Sequence, residues 1–157
     1  MVFAVDPGTR ESAWVLFDGV RVRDHAIEPN DVLLARLRSM DMQAVEAVVV
    51  EQIESFGMAV GREVFETVFW TGRFVERSRG KGLRMPRKAV KLHLCQSLRA
   101  KDANIRQALL DRFGGEVAKG TRRQPGPLYG IRSHEWSALA IAVTWWERRS
   151  VNERMVG

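Results

Sequence analysis

The chain opens with four apolar residues, Val2-Phe3-Ala4-Val5, that stop at Asp6-Pro7-Gly8. An apolar run closed by a Pro-Gly turn reads as a buried strand. Ser12–Phe17 reads as a second strand, and Asp18-Gly19 is a hairpin turn. Val20 and Val22 alternate with Arg21 and Arg23, which predicts a third strand with one solvated face. The start is therefore an antiparallel three-stranded meander. Asn30 or Asp31 is suited to cap a helix over 32–40. Ala47–Glu51 is apolar on both faces and ends in an acid, the pattern of a strand buried inside a sheet. A loop follows at Ser55–Gly57. Beyond it Val60, Val64, Phe65, Val68 and Phe69 recur at helical spacing, predicting a helix over 60–74. Ser78–Met85 is polar and basic with two glycines and predicts a loop, whereas partial alternation over Lys88–Cys95 predicts a strand. Asp102 is placed to cap a helix over 103–113 that Gly114-Gly115 ends. Residues 114–132 hold five glycines, two prolines and a basic excess, which predicts an exposed, flexible basic loop. Ser133 is placed to cap a last helix over 134–149. The order β-β-β-α-β-α-β-α-α points to a mixed α/β sheet covered by helices, and residues 1–157 show no repeat or domain boundary.

Composition narrows this picture. A chain of 157 residues with 45% apolar content is one domain's worth and can hold a core. Its apolar runs, Val48–Val50 and Ala138–Val143 among them, are too short to cross a bilayer as a helix. The first residues open directly into an apolar segment carrying Asp6, without the basic region or small-residue cleavage site of a secretory signal, so none is expected. The single Cys95 makes no internal disulfide or cysteine zinc site and suits a reducing cytosol. Charge is unevenly spread. Residues 1–72 carry 6 Lys and Arg against 12 Asp and Glu, whereas residues 73–132 carry 16 against 4. A strongly basic middle predicts a polyanionic partner, most often nucleic acid, although small proteins are also simply basic.

Two acids end apolar strands, Asp6 and Glu51. If their strands are neighbours, both carboxylates leave the sheet at one edge, where sites of open α/β sheets are built. Paired carboxylates attract hard divalent cations such as Mg²⁺ or Mn²⁺, and such ions can activate water against a phosphodiester. The start of the last helix offers His134, Glu135 and Ser137 as further ligands. Taken singly, Asp6 also fits an ordinary turn, Glu51 a solvated strand end and His134 a helix start.

These residues stand in stretches that resemble a known family. FAVDPGTRESAWVLFDG resembles the opening of RuvC-like Holliday junction resolvases, a branch of the RNase H-like superfamily. VVVEQIESFGM, MPRKAVKLHLCQSLRAKDANIRQALL and SHEWSALAIAV are similar to later segments of that family, in the same order, and together cover most of the chain. The resemblance implies an RNase H-like five-stranded sheet, three antiparallel strands followed by parallel ones, flanked by helices. It implies a Mg²⁺- or Mn²⁺-dependent endonuclease that cuts four-way DNA junctions in pairs, acting as a homodimer in the cytoplasm of a bacterial or phage-infected cell. Asp6, Glu51 and His134 match its metal-binding positions, and Lys91 and Lys101 its basic positions beside the site. Ser137 falls where the family carries a fourth, acidic ligand, a departure that Glu135 would make good only from a turned helix start. Phe56 matches an aromatic that stacks on a base near the branch point. The clusters Arg77, Arg79, Lys81, Arg84 and Lys119, Arg122, Arg123 are expected to meet backbone phosphates. Two other readings stay open: a broader nuclease of flaps or RNA–DNA hybrids, and a junction-binding protein without catalysis, which Ser137 favours.

Overall fold

The structure is a computed structural model that describes the backbone of residues 1–55 and 57–156, and side chains among these as far as Arg149. Five strands, β1 (Val2–Asp6), β2 (Glu11–Phe17), β3 (Val22–Pro29), β4 (Ala47–Gln52) and β5 (Gly82–Pro86), form one sheet in the order β3-β2-β1-β4-β5. The β1–β2 and β2–β3 pairs are antiparallel, and the β1–β4 and β4–β5 pairs are parallel. This is the mixed sheet that the meander and the later buried strand led one to expect. The helices are α1 (Asn30–Ser39), α2 (Arg62–Arg77), α3 (Arg87–Cys95), α4 (Asp102–Arg112) and α5 (Glu135–Val156). None among the described residues is long and apolar enough to cross a membrane.

Strand side chains alternate between faces, so each central strand feeds two cores. Val2 and Ala4 of β1 join Val15, Ala47 and Val49 against α3, α4 and the Ala138–Val143 stretch of α5. Phe3 and Val5 join Trp14, Val48 and Val50 against Leu33 and Leu37 of α1 and Phe74 of α2. Phe3 stacks on Trp14 with centroids 4.9 Å apart, and Arg36 covers the other side of the Trp14 ring at 4.4 Å while pairing with Glu28. Glu28 also accepts the Trp14 indole N–H at 2.9 Å, which ties β2, β3 and α1 together.

Several local expectations are corrected. Lys88–Cys95 is helical, not a strand: Val90 and Leu94 are its buried residues, one helical turn apart. The fifth strand lies instead in the segment read as a loop. Only Met85 of Gly82–Pro86 is fully buried, so this edge strand carries no apolar signature. The third strand runs on to Pro29, well past Arg23, because β2 pairs with it along its whole length. Asn30 does not cap α1. Its Oδ1 accepts from Ser12 Oγ at 2.6 Å and its Nδ2 donates to the Gly8 carbonyl at 3.0 Å. Asn30 thus pins the loop after Asp6, where a Cβ on Gly8 would lie 2.3 Å from the Glu11 carbonyl oxygen. Ser133 takes a φ of +45° ahead of α5, and Glu135 reaches back to accept the Arg132 N–H at 2.8 Å. Residues 114–132 are mostly exposed, as expected, and carry a 3-10 turn at Glu116–Lys119 with Ala118, Leu128 and Ile131 buried in the core.

Candidate active site at the carboxyl edge of the sheet

The parallel register pairs Val2 with Ala47 and Val5 with Val50. One residue further it sets Asp6 level with Glu51 on adjacent strands, roughly 5 Å apart in the hydrogen-bonding direction. Both acids share the sheet face of Val2, Ala4, Ala47 and Val49, the face that α5 covers. The start of α5 therefore arrives beside them. His134 Nδ1 lies 3.0 Å from Asp6 Oδ2, although 128 residues separate the two in sequence. The structure thus puts His134 on Asp6 and sets Glu51 level with Asp6 on the neighbouring strand.

Two groups that the sequence did not single out for the site stand beside them. Arg87, the first residue of α3, places Nη1 3.3 and 3.2 Å from the two oxygens of Glu51. Its Nη2 pairs with Asp102, which is the first residue of α4 and not its cap. Asn104 closes that helix end instead, accepting the Lys101 N–H at 2.9 Å. Reading 88–95 as a strand hid Arg87, because its role depends on the helix start that follows Pro86. Lys88 pairs with Glu54 at 2.9 Å. Lys91 lines the same cavity as Glu51, Arg87 and Leu98, of about 390 Å³. A second cleft flanks the site on its other side and is lined by Asp6, Thr9, Arg10, Ile27 and His134.

The electrostatics are those of a carboxylate pair short of positive charge. Glu51 is 6% exposed. Burial first, and the Asp6 charge second, push its pKa up to about 7, against the pull of Arg87. His134 is raised by its hydrogen bond to Asp6. Hard oxygen donors that repel one another, with an imidazole alongside, are a donor set suited to one divalent cation. They do not extend to a second. Ser137 brings no charge, and Glu135 is 2% exposed and committed to His25 Nδ1 at 2.9 Å and to the Arg132 amide. Glu135 therefore does not make good the missing acid. Among the described residues no three His, Cys, Asp or Glu side chains stand close enough together to form a metal site as they are placed.

The basic positions divide. Lys91 faces the site cavity, and Lys101 directly precedes Asp102. Arg79 donates to the Met40 carbonyl, and Lys81 Nζ lies 2.7 Å from the Val45 carbonyl. Both sit where β4 and β5 begin, about 13 Å from Glu51 along the strand, so the structure does not bring them to the site. Arg77 ends α2 near them. Arg84 is exposed on the edge strand, 3.4 Å from Gln52 Oε1. Lys119 pairs with Glu116, and Arg122 and Arg123 are exposed. Phe56 lies outside the described residues.

No protein-family model and no curated protein sequence matches the chain. Solved structures do. The chain resembles Thermus thermophilus RuvC with a TM-score of 0.60 at 19% identity, covering 95% of each chain. It resembles T. thermophilus RuvC in complex with a Holliday junction substrate with a TM-score of 0.61 at 20% identity, covering 95% of this chain and 94% of that one. The fold is RuvC-like.

Proposed function

We propose that the chain is a divalent-metal-dependent endonuclease that resolves four-way DNA junctions by paired phosphodiester hydrolysis. The observation that carries this reading is the placement of Asp6 and Glu51 side by side at one sheet edge, with His134 on Asp6, in a RuvC-like fold. In the reaction water attacks phosphorus in line, the bond to the 3′ oxygen breaks, and a 5′-phosphate and a 3′-hydroxyl remain. A Mg²⁺ or Mn²⁺ held there would acidify the attacking water and offset charge on the phosphate. Asp6 and Glu51 provide hard oxygen donors, and His134 donates a ring nitrogen once its proton is lost. Lys91 and Lys101 offset phosphate charge beside the carboxylates. Arg84, Arg122 and Arg123 are free to meet backbone phosphates of the arms, with Arg77, Arg79, Lys81, Lys119 and Phe56 as further contacts.

Pairing of the cuts needs two sites. Helix α2 presents Phe65 and Phe69 at 64% and 58% exposure, with Val68 beside them. A two-fold dimer through this face matches the two-fold symmetry of the junction. We place the protein in the cytoplasm of a bacterial or phage-infected cell, where such junctions arise.

The test is a labelled four-way junction incubated with Mg²⁺, with Mn²⁺ and with EDTA, beside a flap, an RNA–DNA hybrid and a linear duplex. Symmetric metal-dependent nicks on the junction alone support the reading, and Asp6→Asn should abolish them while junction binding in Ca²⁺ persists. Equal cutting of flaps and hybrids would instead show a broader nuclease. The Arg87 grip on Glu51 and the serine at 137 favour one further reading, a junction-binding protein without catalysis; tight binding without nicks in either metal would establish it.

A further inference from the structure

A cleft of about 860 Å³ lies between the β2–β3 hairpin, the end of α4 and the segment 125–129. Three arginines line it, Arg21, Arg23 and Arg112, against one acid, Asp24. Two of the arginines have acidic partners outside the lining: Arg23 pairs with Asp18, and Arg112 with Glu147 at 3.1 Å. Asp24 accepts the His25 backbone N–H at 2.9 Å. Arg21 is exposed and makes no ion pair among the described residues, and Arg122 and Arg123 stand exposed just before Pro125 of the opposite wall.

That wall is firmly built. Gly120 takes a φ of +65°, and a Cβ there would lie 2.0 Å from the Gly126 nitrogen, so the two ends of the turn meet backbone to backbone. The Leu128 N–H donates to the Ala118 carbonyl at 2.9 Å. Leu128 and Ile131 are buried in the core, whereas Tyr129 is 43% exposed and lines the cleft. An aromatic ring held outward between anchored neighbours is a platform for a base, and arginines beside it suit phosphates.

The cleft also leads to the carboxylates. His25 lines it, and His25 Nδ1 lies 2.9 Å from Oε1 of Glu135, the residue after His134. Two residues along the same face of β3, Ile27 lines the cleft that holds Asp6 and His134. A polymer leaving the carboxylates therefore has a continuous path along β3. A duplex brings phosphates to this path but keeps its base faces stacked inside, whereas an unpaired strand brings phosphates and open base faces together.

We propose that this cleft binds single-stranded DNA, the unpaired strand of a branched substrate running on from the carboxylates along β3. Tyr129 stacks a base, and Arg21 holds a neighbouring phosphate. The route of the strand rests on the nuclease reading above, and the binding rests on the cleft itself.

Tyr129 is the only tyrosine of the chain, so the full chain labelled with fluorotyrosine gives a single fluorine NMR resonance that reports on the cleft. The labelled protein is titrated in EDTA with an oligothymidylate of about 8 nucleotides, and separately with a duplex of the same length. The single strand should shift the resonance and the duplex should not. By fluorescence anisotropy of a labelled strand, Tyr129→Ala should bind about tenfold more weakly, as for the loss of one stacked base. Arg21→Ala should bind more weakly with a shallower salt dependence. Thermal melting establishes that both variants are folded, and the wild-type resonance decides the matter even if one is not. No shift with the single strand, an equal shift with the duplex, or full affinity in Tyr129→Ala would overturn the cleft proposal. Cleavage of a fully paired four-way junction and of a flap in Mn²⁺, on the same preparations, tests the nuclease reading separately. Cutting without a shift of the resonance would overturn the cleft alone. A shift without cutting of either substrate would overturn the nuclease reading and the strand's route, and leave single-strand binding standing.

Discussion

Glu51→Gln should stabilise the metal-free protein above neutral pH while abolishing its cleavage. Glu51 is buried beside Asp6, and its pKa stands at about 7 against an ordinary 4.5. Between those two values the folded chain holds a proton that the unfolded chain has released, so stability falls as pH rises through this window and levels off above it. At about 1.4 kcal/mol per pH unit the full loss is on the order of 3 kcal/mol. Glutamine keeps the shape and removes the charge. The pull of Arg87 is already contained in that raised value, so the net expectation is about 3 kcal/mol at pH 8, or roughly 6–12 °C in Tm for a chain of this size. Thermal unfolding by circular dichroism in EDTA, at pH 5 and pH 8, measures it. The two proteins should melt together at pH 5, where the wild-type carboxyl is protonated. A variant that is less stable at pH 8, or a difference of equal size at both pH values, would refute the electrostatic reasoning.

Three further outcomes follow from the same structure. His134 has its pKa raised by Asp6 and must shed its proton to bind metal, so Mn²⁺ affinity measured by titration calorimetry should climb between pH 6 and pH 8; a flat profile would remove His134 from the ligand set. Phe65→Glu with Phe69→Glu on the exposed face of α2 should give a folded monomer by sedimentation, and junction nicks that are no longer paired. Phe74→Ala opens the core between the sheet and α2, where Trp70 stacks on Phe74 at 5.8 Å; urea unfolding should show a loss of about 3–5 kcal/mol, and a loss below 1 kcal/mol would mean that this layer is loosely packed.

The parts of the fold legible in the sequence are those whose signal is local and strong. β1, β2 and β4 announce themselves because both of their faces are buried, which demands nearly continuous apolar runs. α2 and the apolar half of α5 are long enough to show helical spacing or sustained burial. β5 and α3 exchange identities for the opposite reason. An edge strand with one fully buried side chain has no period to read, and a nine-residue helix with buried residues at 90 and 94 also fits alternation. Asp102 and Asn30 look like helix caps because their chemistry allows it, but the caps they suggest compete with distant partners. Arg87 draws Asp102 away, and Ser12 and Gly8 take Asn30.

The sequence by itself determines that this is one basic-centred α/β domain whose strands end in acids at positions 6 and 51, because apolar runs, turn residues and charge are properties of neighbours along the chain. Only the tertiary structure decides that these acids stand level and that His134 lies on Asp6 across 128 residues. It also decides that Arg87 fills the space between Glu51 and Asp102, that Glu135 turns to His25, and that Lys81 is engaged at the far end of the sheet. Each of these depends on strand register or on the angle at which a helix arrives. Those are set by packing of two cores against one sheet, and a one-residue slip that would move Glu51 to the other face leaves the composition of every segment unchanged.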